Sequence, residues 1–140
     1  MFTTTKENLV DHLRNDLGLK PKDKALIYVT RHYQNNMVLQ PYWGTDFNYH
    51  KLRKEIITKL LVDIPYKVIL KLYPVYRYLD PDPFAELITP PNMKVVQFSE
   101  FRYLRYAADL LIIDSPTSML GWAIATDIPL IFLDDPANPL

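Results

Sequence analysis

Apolar positions along this chain keep two rhythms in turn, one helical and one of unbroken runs. Residues 5–17 (TKENLVDHLRNDL) set Leu9, Leu13 and Leu17 four apart among charges, the spacing of a short amphipathic helix. Thr5 suits the N-cap of that helix and Gly18 its C-terminal stop. After the polar connector LKPKDK, the run ALIYVT (25–30) is continuously apolar and β-rich, so a buried strand is expected. Asp46 can cap the next helical stretch, where Leu52, Ile56, Leu60 and Ile64 hold one face and Ile57 and Leu61 widen it. Three further strands are expected at 66–74 (YKVILKLYP), 93–98 (MKVVQF) and 109–114 (DLLIID), and a fifth at 129–134 (PLIFLD). Short helices are expected around 84–88, over 99–107 with Ser99 as cap, and over 117–126.

Apolar strands alternating with helices predict an α/β fold: a doubly wound, Rossmann-like domain of about five parallel strands with helices on both faces. Residues 1–20 read as an N-terminal helix and linker, and 21–140 as the Rossmann-like domain. The chain stops just after the fifth strand, where such folds bring another helix back over the sheet. The expectation is therefore a piece of a longer protein.

Composition narrows the function classes. Sixteen basic and sixteen acidic residues balance to zero, which argues against a partner held through nucleic-acid phosphates. No cysteine is present, so disulfides, thiolate metal sites and a thiol nucleophile are excluded, and a cytoplasmic setting fits. No apolar run approaches the ~20 residues of a membrane span. Peripheral contact with a membrane's inner face stays open, and the oligomeric state is not readable. Neither the dinucleotide fingerprint nor the P-loop pattern occurs, and no His or carboxylate cluster has metal spacing, so no cofactor or metal is called for.

In doubly wound sheets ligands collect beyond the carboxyl ends of the strands, which selects the candidate residues. The corner Asp114-Ser115-Pro116-Thr117-Ser118 offers hydroxyls beside the free N–H groups of a helix start, a cradle for an anion or an ordinary cap. Asp114 itself reads as a group that orients backbone. Arg31 and His32 follow the first strand: Arg31 can grip a phosphate and His32 can move a proton, or both can be solvated loop residues. Tyr73 closes the second strand, and Gln97, Phe98 and Ser99 follow the third. Arg102 and Arg105, on a short helix, read as a solvated face, and His12 and His50 as surface residues.

Two stretches carry a family resemblance. LGLKPKDKALIYVTRH is similar to the opening of the C-terminal domain of GT-B glycosyltransferases. FRYLRYAADLLIIDSPTSMLGWAIATDIPLIFLDD resembles the matching late segment, and also that of CDP-glycerol glycerophosphotransferases of surface-polysaccharide assembly. The layout match spans nearly the whole chain; the motif match is mostly 103–133. The resemblance implies a nucleotide-activated donor as substrate, its diphosphate at Ser115, Thr117 and Ser118 with Arg31 and His32 alongside. It places Gln97, Phe98 and Ser99 near the nucleobase; Tyr73, from its place after the second strand, reads either as a donor-site residue or as packing or partner surface. The resemblance also implies an N-terminal acceptor-binding domain that supplies the catalytic base, so no catalytic residue is assigned and this part alone is not competent. Two positions depart from the pattern: Trp122 stands where many GT-B enzymes hold the ribose with glutamate, and Tyr73-Pro74 where the glycerophosphotransferases often have His-Pro. These departures support the alternative, a non-catalytic α/β binding or interaction domain that has lost the donor site.

Overall fold

The computed structural model describes residues 6–30, 46–72, 90–97, 99–114 and 118–133. Helix α1 (Lys6–Asp16) precedes strand β1 (Ala25–Val29). Helix α2 (Asp46–Glu55) runs into a π-helical turn (Ile56–Leu60), followed by β2 (Lys67–Lys71) and β3 (Met93–Val96). A short helix α3 (Phe101–Leu104) and a 3₁₀ turn (Arg105–Ala107) lead to β4 (Leu110–Ile113), α4 (Ser118–Ile124) and β5 (Leu130–Phe132). The five strands form one all-parallel sheet in the order β3-β2-β1-β4-β5. The expected doubly wound α/β architecture is therefore present, with each strand one to several residues shorter than its apolar run. The helix around 84–88 and the Thr5 cap lie outside the described residues.

Alternation along each strand divides the core in two. Ala25, Ile27, Val29, Ile69, Leu111 and Ile113 face one layer with Leu17, Leu19, Phe101, Leu104 and Ala123. Leu26, Tyr28, Val68, Leu70 and Ile112 face the other, covered by Ile56, Ile57 and Leu61. Both faces of every central strand are buried, so the strands carry apolar residues without alternation.

Local chemistry explains the element ends. Gly18 takes φ +70, and the N–H groups of Gly18 and Leu19 donate to the carbonyls of Asn15 and Arg14 at 2.9 Å each. That is the Schellman closure, and the left-handed residue it needs is the glycine. At the start of β1, Asp109 accepts the Ala25 N–H at 2.8 Å on Oδ2, while the Asp109 N–H donates to the Ala25 carbonyl at 2.8 Å.

Three expectations are corrected. Glu100, not Ser99, occupies the N-cap position of α3, in extended backbone and without a side-chain cap bond. Of the expected apolar face over 52–64, Ile56, Ile57 and Leu61 are buried as expected, whereas Leu52 and Leu60 are exposed and Arg53 is buried. The Leu61 N–H reaches back five residues to the Ile56 carbonyl at 3.0 Å, and this wider turn fixes which side chains end on the sheet. Arg105 is buried rather than solvated. Its guanidinium lies 4.7 Å from the Tyr106 ring centroid and 4.9 Å from that of Trp122, and it donates to the Trp122 carbonyl at 2.5 Å. Arg102 is half-exposed and pairs with Glu100 at 2.6 Å, and His12 is exposed, both as expected for surface positions.

Candidate functional site at the carboxyl edge of the sheet

The chain runs outward from β1 through β2 to β3, then returns to lay β4 against the other side of β1. The winding direction therefore reverses between β1 and β4. At such a switch point the connections leave in opposite directions and open a crevice beyond the strand ends, the place where this class of sheet binds ligands. Residues 31 onward follow β1 there, and residues 115–118 follow β4.

A buried ionic network closes the floor of this edge. Asp114, one residue past β4, is bound at both oxygens by Arg53 of α2: Nε donates to Oδ2 at 2.6 Å and Nη2 to Oδ1 at 2.9 Å. Tyr28 of β1 donates its hydroxyl to the same Oδ2 at 2.7 Å. Tyr28 pairs in register with Ile112, so Asp114 lies two residues further along the neighbouring strand and on the same face. Arg53 and Tyr28 are 0% exposed and Asp114 4%, so the pair works in a medium of low polarity. Two parallel charge-assisted bonds make Arg the side chain suited to this carboxylate. Burial, then the Asp114 charge, pushes the Tyr28 hydroxyl far above the ordinary tyrosine range, so it stays a phenol and a donor. With donors on both oxygens, Asp114 is fixed in place at the end of β4.

Lys71 ends β2 on the opposite face and is 2% exposed. Its ammonium donates to the carbonyls of Leu72 at 2.6 Å and Gln97 at 2.5 Å, tying the ends of β2 and β3 together. Burial lowers its pKa from 10.5 to about 8. The Thr30 hydroxyl donates to the Lys71 carbonyl at 3.2 Å, and the Thr30 N–H donates to the same oxygen at 3.0 Å.

Of the sequence-predicted donor residues, Gln97, Ser99 and Ser118 are described. Gln97 is half-buried, with its carbonyl on Lys71; Ser99 is exposed; Ser118 is the first residue of α4 and exposed. Gln97 and Ser99 follow the edge strand β3, whereas Ser118 follows β4, with β2 and β1 between those strands. Arg31, His32, Tyr73, Phe98, Ser115 and Thr117 lie outside the described residues, as does the side chain of His50. The residues that sequence reasoning missed are Tyr28, Arg53 and Lys71. The available signal was charge in the wrong place: a lysine closing an apolar strand, and an arginine beside the apolar line of α2.

The chain matches no protein-family model and no curated protein. Among the described residues no group of three or more His, Cys, Asp or Glu is placed to hold a metal ion, and no helix is long and apolar enough to cross a membrane.

Proposed function

We propose that this domain binds a nucleoside-diphosphate-activated donor in the crevice between β1 and β4, as the donor half of a GT-B-like transferase of surface glycan or glycan-phosphate synthesis. One observation carries the reading. The winding reverses between the two strands whose carboxyl ends lead into Arg31-His32 and into the hydroxyl-rich corner 115–118. The resemblance to GT-B and glycerophosphotransferase C-terminal domains selects the ligand. In this role Arg31, the corner hydroxyls and backbone N–H groups stabilise the leaving group while an acceptor hydroxyl attacks. That leaving group is a nucleoside diphosphate in glycosyl transfer, or a nucleoside monophosphate where the distal phosphoryl group is itself transferred. The acceptor and the base come from an N-terminal domain, and the work is done on the cytoplasmic side of a membrane.

Titration calorimetry with UDP, CDP and GDP tests this directly. One of the three is expected to bind, and the Thr117→Ala/Ser118→Ala variant is expected to weaken it by tenfold or more. Absence of binding, or binding unchanged in the double variant, refutes the reading.

A second reading has its own observation. Trp122 and Ile124 of α4 are 43% and 67% exposed, and Ile131 of β5 is 44% exposed. Apolar side chains left open on α4, and on β5 across the other face of the sheet, suit an interaction domain that kept the sheet and lost the donor. Protection of Trp122 fluorescence by a protein partner, with no nucleotide bound, would favour it.

A further inference from the structure

The opposite edge of the sheet, where β1, β2 and β3 begin, holds a cleft of about 540 Å³. That is the size of a small-molecule site, and its wall is basic: Lys22, Lys24 and Lys67 line it against the single carboxylate of Asp23. Asp23 is already engaged, since its Oδ2 accepts the Lys20 N–H at 2.8 Å and closes the turn before β1. None of the three lysines pairs with a carboxylate among the described residues. The whole chain is neutral, so an excess of two positive charges here is a local segregation and not background.

Backbone geometry brings two of these residues to the same end of neighbouring strands. The Lys67 N–H donates to the Lys24 carbonyl at 2.8 Å, and Lys67 stands in register with Ala25, so Lys24 and Lys67 are neighbours across the start of two strands. An anion in the cleft would be attracted by all three ammonium groups. Asn92 completes the wall. Its Nδ2 donates to the carbonyls of Leu61 at 3.0 Å and Tyr66 at 3.3 Å, which fixes the amide and leaves Oδ1 buried with no donor.

We infer that this amino-edge cleft binds a phosphate-bearing anion, with Lys22, Lys24 and Lys67 on the phosphate. Compact, strongly hydrated ammonium groups on flexible stems suit a phosphate of this kind. The site lies at the other end of the strands from the donor crevice and does not depend on it. The phosphate could belong to a free small molecule or to a lipid headgroup, and one experiment separates these sources.

Inorganic pyrophosphate is titrated by calorimetry at 50 and 200 mM salt, and vesicles containing phosphatidic acid are co-sedimented against pure phosphatidylcholine vesicles. Wild type, Lys22→Gln/Lys67→Gln and Thr117→Ala/Ser118→Ala are compared in both arms. Pyrophosphate binding weakened at least tenfold by the lysine pair, weakened by salt, and unmoved by the corner variant supports the site and assigns a free ligand. Co-sedimentation lost in the lysine pair alone supports the site and assigns a headgroup. Binding in neither arm, or binding that the lysine pair leaves unchanged, overturns the inference. Because Lys22 and Lys67 are exposed, their substitution leaves the core intact, and circular dichroism of the variant checks this.

Discussion

Replacing Arg53 with methionine tests the ionic floor of the carboxyl edge. Methionine keeps the length and apolar stem of the side chain but deletes both charged donors to Asp114. The carboxylate would stay 4% exposed, with the Tyr28 hydroxyl as its remaining donor in this network. Removing one partner of a buried pair costs about 3–5 kcal/mol, because the surviving charge is stranded away from water. A domain of this size has about 5–15 kcal/mol of stability in all, so the loss is a large fraction of it. At about 2–4 °C per kcal/mol, the melting temperature should fall by about 10 °C.

The cause is separated from mere loss of packing by a second variant. Arg53→Met/Asp114→Leu removes both charges and leaves only the Tyr28 hydroxyl without its acceptor, a cost of about 1–3 kcal/mol. Asp114→Leu alone strands the Arg53 guanidinium and should also cost about 3–5 kcal/mol. The double variant is therefore expected to be more stable than either single, with a coupling of about 6 kcal/mol in the double-mutant cycle. Urea unfolding followed by far-ultraviolet circular dichroism gives all the free energies required. A loss below about 1 kcal/mol for Arg53→Met, or a double variant whose loss is the sum of the singles, would refute the stranded-charge argument.

Two further outcomes follow from single residues. The Lys71 amine loses its proton at about 8 in the fold against 10.5 in the unfolded chain, so between those values the unfolded state holds more protons and stability rises with pH. At about 1.4 kcal/mol per tenfold change, wild type should gain up to about 3 kcal/mol relative to Lys71→Met between pH 7 and 10.5; urea midpoints that move in parallel for the two proteins would exclude it. Gly18→Ala meets no steric neighbour within 4 Å, yet it forces a side chain to φ +70, which costs about 1–2 kcal/mol; an unchanged unfolding midpoint would refute the left-handed cap.

The apolar runs made the sheet legible, because a strand buried on both faces has no polar side to confuse the pattern. Gly18 was legible for a similar reason: its position after a leucine repeat leaves few other roles. The face of α2 and the turn after it was legible only in part: Ile56, Ile57 and Leu61 are buried as spacing expects, Leu52 is not. Leu52 and Arg53 are adjacent, and spacing favours the leucine, but Asp114 lies 61 residues away and draws the arginine into the core. Hydropathy ranks each residue by its own cost in an apolar medium, whereas burial of Arg53 is decided by a partner that local sequence does not reveal. Arg105 was misread for the same reason, since its burial depends on the rings of Tyr106 and Trp122. The candidate site was legible as a place, the carboxyl edge, and not as the set of buried groups that build it.

Tyr28 and, among the described residues, four of the five buried polar or charged side chains share one end of the sheet; Arg105, just before β4, is the exception. Tyr28 and Thr30 close β1, Lys71 closes β2, Asp114 follows β4, and Arg53 reaches them from α2. The earlier positions of β1 and β4 carry only apolar side chains. Each polar group taken out of water costs stability that a leucine or valine would not, and each is compensated here by a specific bond. Packing alone gives no reason for these costs to gather at the ends of neighbouring strands. A site does: bonds from Asp114 to Arg53 and Tyr28, and from Lys71 to the Gln97 carbonyl, hold the backbone ends that lead into the segments after β1, β3 and β4. Four of the five local departures from the apolar rule thus lie at the edge where the winding reverses, the arrangement the proposed donor crevice calls for.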